Sequence, residues 1–366
     1  MPSKKNGIHF NLPITSLVLT VAAGLSLFAQ TSVAHALDCH TKRLQGRPIP
    51  LGVSGGNIES IGHRYCCTGT LGSLVQDGFG DQFILSNNHV LAADGSNIVI
   101  QPGLADTRCR AKGGAVADGI DFVPISHGSN TVDAAIAEVI SGDVDSTGAI
   151  LNIGNVAAGG AVPPTLNLKV EKMGRTSCVT KGRVTAIDVT IRVKYPKICN
   201  LTFSGIATFQ NQIQIQPGTF SAPGDSGSLI VTTGRCPGAV GLLFAGSKTS
   251  SIANPMGDVL SDFGVNMVGV SCVPTRTVVA AATPGPAAST YSSQSEKVAA
   301  AVKQRHETEL LKILGVVGTG VGESAQGQLV IKVFVEKDTR AVRSSVPSTL
   351  EGIPVEIEET GPVTAY

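Results

Sequence analysis

Three short segments of this sequence carry the residue types that nucleophilic acyl chemistry requires. Ser226 lies in SAPGDSGSLI, residues 221–230, between a glycine-containing turn and an apolar run. A serine hydroxyl is a weak nucleophile at neutral pH unless a base takes its proton and a carboxylate holds that base in the useful tautomer. His89, in FILSNNHVLAA, and Asp133, in TVDAAIAEV, offer such a base and such a carboxylate. Asp133 is set directly against an apolar strand pattern, where an unpaired carboxylate would be costly. The order is His, Asp, Ser, with separations of 44 and 93 residues. That spacing lets one β-barrel carry the first two and a second barrel carry the serine. Taken singly, PGDSG also reads as a plain hairpin and His89 as a turn histidine; taken jointly they predict a catalytic set.

The elements that must position these residues are mostly strands. The 366-residue chain has 43 glycines, no tryptophan, and short Val/Ile/Thr-rich runs broken by Gly, Pro, Asn and Ser through its first three quarters. This is the texture of an all-β body, long enough for two domains or for one large domain with an appendage. Only 15% of residues are charged and the net charge is +1. Clustered Lys and Arg for phosphate binding are missing, which argues against a nucleic-acid partner.

Residues 1–36 have the pattern of an export signal: Lys4 and Lys5, the apolar stretch ITSLVLTVAAGLSLFA, and Ala34 and Ala36 flanking His35 at a cleavage site. The apolar run is shorter than the ~20 residues of a spanning helix. Cleavage after Ala36 is therefore expected, with no stable membrane anchor afterwards and a secreted or periplasmic protein as the product. Asp38 before Cys39 argues against a lipoprotein. All eight cysteines (39, 66, 67, 109, 178, 199, 236, 272) lie beyond the signal, and an even count in an exported chain favours disulfides. No C-x-x-C spacing occurs and the histidines are scattered, so neither a metal site nor a cofactor is expected. Cys178 and Cys199 bracket a stretch that reads as paired strands and are the expected pair. Adjacent Cys66 and Cys67 point opposite ways on a strand and should have different partners.

PTRTVVAAATPGPAASTYSSQ is rich in Ala, Pro, Ser and Thr without apolar periodicity, and marks residues 274–292 as a linker. Beyond it, residues 293–366 change character. Ser293 and Glu296 form a capping-box pattern, and Val298, Val302, Leu310, Leu311 and Leu314 repeat at the spacing of a helix of roughly twenty residues. GVVGTGVG and QLVIKVFVEKD follow as strands, then a short helix near SVPSTLEG and a last strand, IPVEIEE. These elements predict a small, autonomous α+β module, a candidate for intramolecular or oligomeric contact. Its glycines follow a helix rather than a strand, which does not suit a dinucleotide loop. HETEL, residues 306–310, has Leu310 in place of a second zinc-binding histidine and reads as a solvated helix face.

SNNHVLA, VDAAIA and GDSGS resemble the three signature segments of trypsin-like (chymotrypsin-fold) serine peptidases, in that order. GRTSCVTKGRV, residues 174–184, resembles the start of the second barrel in secreted bacterial members, and GLLFAGS, residues 241–247, the strand lining their primary pocket. The resemblance covers roughly residues 49–273. It implies an all-β double β-barrel over residues 37–273, split near 155–165, followed by the α+β module. It implies a serine endopeptidase acting on protein or peptide substrates through an acyl-enzyme. Ser226 would be the nucleophile, His89 the base and later acid, and Asp133 the group that orients His89. The N–H groups of Gly224 and Ser226 would form the oxyanion hole, and a buried Asp225 would fix their loop.

The sequence departs from the family pattern at Phe244 and Ala245, where a serine supporting the aspartate and a tryptophan are common. It departs again at Ser228, at Val90, where many members have a cysteine, and in lacking a clear activation site. The resemblance assigns the primary pocket to Phe220, Ser221, Phe244 and Gly246. No carboxylate lies among them, so small or medium apolar side chains are the expected substrates. Arg175 is expected to fix local backbone rather than bind substrate. A non-catalytic, protease-like binding module is the alternative. An α/β-hydrolase is excluded because Ser228 stands where the nucleophile elbow needs glycine.

Overall fold

The computed structural model describes residues 39–62, 65–93, 95–111, 113–199, 202–272 and 293–366. The export signal, its cleavage site and the linker at 274–292 lie outside the described residues. Among the described residues no helix is long and apolar enough to cross a membrane.

The first sheet is built from β1 (Val53–Asn57), β2 (Gly69–Leu71), β3 (Ser73–Gln76), β4 (Gln82–Ser86), β5 (Val99–Gln101), β6 (Gly114–Phe122) and β8 (Ala135–Val139). Its order is β3-β4-β8-β6-β5-β1-β2, and β2 and β3 are parted only by Gly72, so the ends of the sheet meet and close a barrel. Inward residues such as Leu51, Val53, Leu71, Leu74, Ile84, Leu85, Val99 and Ile136 form its core. The interruption at Gly72 is where the second barrel intrudes. A side chain there would stand 1.8 Å from the carbonyl oxygen of Gly227, so only glycine lets the serine loop dock on this strand.

The second barrel comprises β9 (Lys169–Gly174), β10 (Cys178–Tyr195), β11 (Gly205–Gln216), β12 (Leu229–Thr232), β13 (Ala239–Gly246) and β14 (Ser251–Pro255). Each pairs with the next in the ring β10-β9-β12-β13-β14-β11, and β11 returns to β10. Val170, Val184, Ile213, Ile215, Phe220, Ile230, Val240 and Leu243 fill it. The short strand β7 (Ser129–Asn130) joins its edge on β11, and β15 (Asn266–Met267) joins β3 of the first sheet. The chymotrypsin-like double β-barrel expected from the sequence is the observed architecture.

The C-terminal residues form α3 (Ser293–Lys312), β16 (Val316–Glu323), β17 (Leu329–Val335), α4 (Arg340–Ser345), β18 (Thr349–Leu350), β19 (Ile353–Glu359) and β20 (Thr364–Ala365). The short helix lies next to SVPSTLEG, as expected, and ends on its first residue, Ser345. Thr339 caps it by accepting from the Val342 N–H, and Thr349–Leu350 form a strand. The module is not spatially separate from the second barrel. β16 pairs with the middle of β10, Ala186 opposite Gly322 and Ile191 opposite Gly318, so the module continues the second barrel's sheet. Val189, Ile191 and Tyr195 of the barrel share one apolar cluster with Val317, Phe334 and Val363 of the module.

Four disulfides connect Cys39 to Cys178, Cys66 to Cys109, Cys67 to Cys199 and Cys236 to Cys272. Cys66 and Cys67 have different partners, as expected, although neither lies in a strand; Cys66 makes only an isolated bridge with Ile61. The expected Cys178–Cys199 pair does not form. The bracketed stretch is not a hairpin but the single 18-residue strand β10, which at about 3.3 Å per residue carries its ends tens of ångströms apart. Peptide mapping of the unreduced protein should recover these four linked pairs; a peptide joining Cys178 to Cys199 would contradict the arrangement.

Candidate active site

Strand register brings His89 and Asp133 together. β4 and β8 run antiparallel with Ser86 opposite Ala135 and Leu85 opposite Ile136. The residues just past the end of β4 and just before the start of β8 therefore share one end of the barrel. Past β4, the one-turn helix α1 (Asn88–Leu91) holds His89. Its Nδ1 lies 2.6 Å from Asp133 Oδ2, and its backbone N–H donates to Oδ1 at 3.3 Å. A carboxylate can only accept, so Nδ1 carries the proton and Nε2 is directed away from the aspartate.

Asp133 has no solvent exposure. Its main chain is fixed by Asn87, which donates to its carbonyl at 2.6 Å, and by Asn254, which accepts from its N–H at 3.1 Å. The side chain receives a third donor, the hydroxyl of Tyr195, at 2.7 Å from Oδ2. Tyr195 ends β10 and so reaches across from the second barrel. Burial, reinforced by the charge and hydrogen bond of Asp133, pushes the Tyr195 phenol well above its usual pKa, keeping it a donor. Sequence reading missed this residue. The absence of a serine at Phe244 was the one available sign that the aspartate needed another partner.

Ser226 sits in the turn between the 3₁₀ segment Gly218–Phe220 and β12. This turn is anchored on the first barrel: Thr70 donates from its N–H to the Ser226 carbonyl at 2.8 Å and from its hydroxyl to the Gly224 carbonyl at 3.1 Å. Gly224 has φ +97°, and a Cβ there would stand 2.4 Å from the Arg175 guanidinium, so the turn requires glycine. Asp225 is fully buried as expected. It accepts from the N–H groups of Thr176 (2.7 Å), Ser177 (3.1 Å) and Ala222 (2.9 Å), and from the Ser177 hydroxyl. It also pairs with the equally buried Lys172 at 3.1 Å. Burial lowers the Lys172 pKa, and the charge and hydrogen bond of Asp225 oppose that shift. Arg175 forms a two-pronged pair with Asp106, at 2.7 and 2.6 Å, which ties the second barrel to the first.

The structure brings His89 and Asp133 into contact but leaves Ser226 directed elsewhere. Its hydroxyl donates to the Phe244 carbonyl at 3.1 Å. His89 Nε2 instead faces the main-chain oxygen of Tyr366 at 3.0 Å. The Tyr366 ring tip lies against Gly246, where a Cβ would come within 2.0 Å of the phenol oxygen. Ser221, whose hydroxyl bonds Ser251 at 2.6 Å, lies beside the phenol. Two expected pocket residues need correction. Phe220 is fully buried in the second-barrel core, and the Phe244 ring packs against Phe209, so Phe244 serves the cleft through its carbonyl. Open cavities of about 520 Å³ around Asn167, Glu323 and Lys332, and about 540 Å³ around Lys169, Arg183 and Thr233, lie elsewhere.

No known family model and no curated protein matches the sequence. Among solved structures the chain is similar to a glutamic-acid-specific serine protease, with 19% identity over 60% of this chain and 100% of that one, at a TM-score of 0.43. It is also similar to Thermobifida fusca Protease A, with 19% identity over 61% of this chain and 99% of that one, TM-score 0.40. A third similarity is to Nocardiopsis protease, with 15% identity over 60% and 98%, TM-score 0.41.

The ion pair under the serine turn is open to a stability test. Lys172→Met leaves a buried carboxylate without its counter-charge and should lower the unfolding free energy by about 3–5 kcal/mol, read by urea denaturation of the unreduced protein. Adding Asp225→Asn should recover part of that loss. A Lys172→Met protein as stable as its parent would show that the pair does not hold the turn.

Proposed function

We propose that the protein is an exported serine endopeptidase that cleaves peptide bonds through an acyl-enzyme, with Ser226, His89 and Asp133 as its triad. The observation that carries this reading is the His89–Asp133 hydrogen bond, in which a fully buried carboxylate fixes the ring so that Nε2 points to Tyr366, whose N–H shares the Phe244 carbonyl with the Ser226 hydroxyl. A role in peptide binding alone leaves that buried charge, with its three donors, without a purpose.

In the proposed reaction the Ser226 hydroxyl swings from the Phe244 carbonyl toward Nε2. Its oxygen bonds to the substrate carbonyl carbon while the proton passes to His89. The resulting oxyanion accepts hydrogen bonds from the N–H groups of Gly224 and Ser226, donors held in place before charge develops. His89 returns the proton to the departing amine as the C–N bond breaks. Water then attacks the ester carbon, giving its proton to His89. The ester C–O bond breaks, and the proton returns to Ser226. Asp133 stays ionised throughout and stabilises the transient imidazolium. The four disulfides suit an oxidising compartment, consistent with removal of residues 1–36 during export.

A fluorophosphonate probe, taken to completion, should label the parent, while Ser226→Ala and His89→Ala remain unlabelled. Tyr195→Phe should lower kcat/KM on a peptide ester about tenfold, the value of one hydrogen bond to a charged group. Equal labelling of all three proteins would contradict the triad.

A further inference from the structure

The cleft beside Ser226 already holds a peptide, the chain's own last strand. Thr364 lies opposite Gly246 and Ala365 opposite Ala245 in an antiparallel ladder with β13. On its other edge Thr364 pairs with Lys194 of β10, whose N–H donates to the Val363 carbonyl at 2.9 Å. Val363 is buried in the apolar cluster with Val193, Phe244 and Ala245. The Tyr366 N–H donates to the Phe244 carbonyl at 3.3 Å, the same oxygen that receives the Ser226 hydroxyl. The backbone of Tyr366 therefore lies beside the nucleophile, and its main-chain oxygen stands 3.0 Å from the histidine nitrogen, in the place the Ser226 hydroxyl would occupy.

The side chain fits as closely as the backbone. The Tyr366 ring rests against the bare Cα of Gly246, in a space that any side chain at 246 would fill. Ser221 supplies a hydroxyl next to the phenol, and Asp225 places negative charge nearby. An aromatic side chain with a polar tip suits that lining, whereas a carboxylate would be desolvated beside Asp225, which already engages Lys172.

We propose that this site selects peptides with an aromatic residue, tyrosine above all, on the acyl side of the bond to be cut, and that residues 363–366 occupy it in cis as an inhibitory strand. The selectivity rests on the peptidase reading above; the occupancy stands on the ladder and the pocket alone. Aromatic side chains replace the small or medium apolar ones expected from sequence, because β13 leaves Gly246 bare at the pocket wall.

Two readouts keep the claims apart. The first is binding of dye-labelled Thr-Ala-Tyr, Thr-Ala-Ala and Thr-Ala-Glu peptides, by fluorescence anisotropy, to Ser226→Ala protein, either full length or shortened to end at Val363 so that Val363 keeps its place. Thr-Ala-Tyr should bind the shortened chain at least about tenfold more tightly than the full chain, whose site is filled, and about tenfold more tightly than the Ala or Glu peptides. Equal binding to both chains, or no preference for tyrosine, would overturn the proposal. The second readout uses full-length protein with Ser226 intact. Tyr366→Gly should be labelled by a fluorophosphonate about tenfold faster than the parent, and equal rates would overturn cis inhibition. Selective peptide binding without labelling of any protein would uphold the occupancy and defeat the peptidase reading.

Discussion

Everything around the cleft depends on satisfying one buried carboxylate. Moving an ion such as Asp133 out of water costs several kcal/mol even after the protein relaxes, and hydrogen bonds to a charged group return roughly 1.5–3 kcal/mol each. The cost is met only when several donors converge on it. Here they come from α1 of the first barrel, through both the ring and the backbone of His89, and from the end of β10 in the second barrel, through Tyr195. Asn254, at the end of β14, holds the aspartate's main chain from the same side. Neither barrel alone could bury this group, so the seam between them is also the place where His89 is oriented.

A second buried carboxylate, Asp225, does comparable work for the serine turn. Its backbone donors come from residues 176, 177 and 222, and Lys172 supplies the opposite charge. These contacts fix the main chain on both sides of Ser226 without engaging its hydroxyl, which bonds the Phe244 carbonyl. The Arg175–Asp106 pair and the Thr70 contacts then lock the turn against the first barrel. Positioning of Ser226 and packing of the two barrels are therefore one set of interactions.

What could be read from the sequence divides along the line between local and long-range chemistry. The His89–Asp133 contact and the turn that carries Ser226 were legible because each residue sits in a short segment whose residue types state its local geometry. The barrel strands and the helix at 293–312 were legible from periodicity. Tyr195 was not, because its role depends on a partner 62 residues away and on the length of β10. The same strand defeated the Cys178–Cys199 pairing: bulges let it run on where the sequence suggests a turn. The docking of the module on β10 and the passage of residues 363–366 into the cleft leave no local sign, since edge pairing is a property of backbone rather than of any motif.

The module acquires a physical role from that passage. By adding β16 to β10, it places residues 363–366 between β10 and β13, where a peptide adds a strand beside Ser226. The most direct measurement of the triad is a crystal structure of the Tyr366→Gly protein with a peptide boronic acid bearing a tyrosine-like side chain. A working triad predicts a covalent bond from Ser226 Oγ to boron, one boronate oxygen between the N–H groups of Gly224 and Ser226, and another facing His89 Nε2. An inhibitor lying in the cleft without that bond, with the Ser226 hydroxyl still on the Phe244 carbonyl, would contradict it.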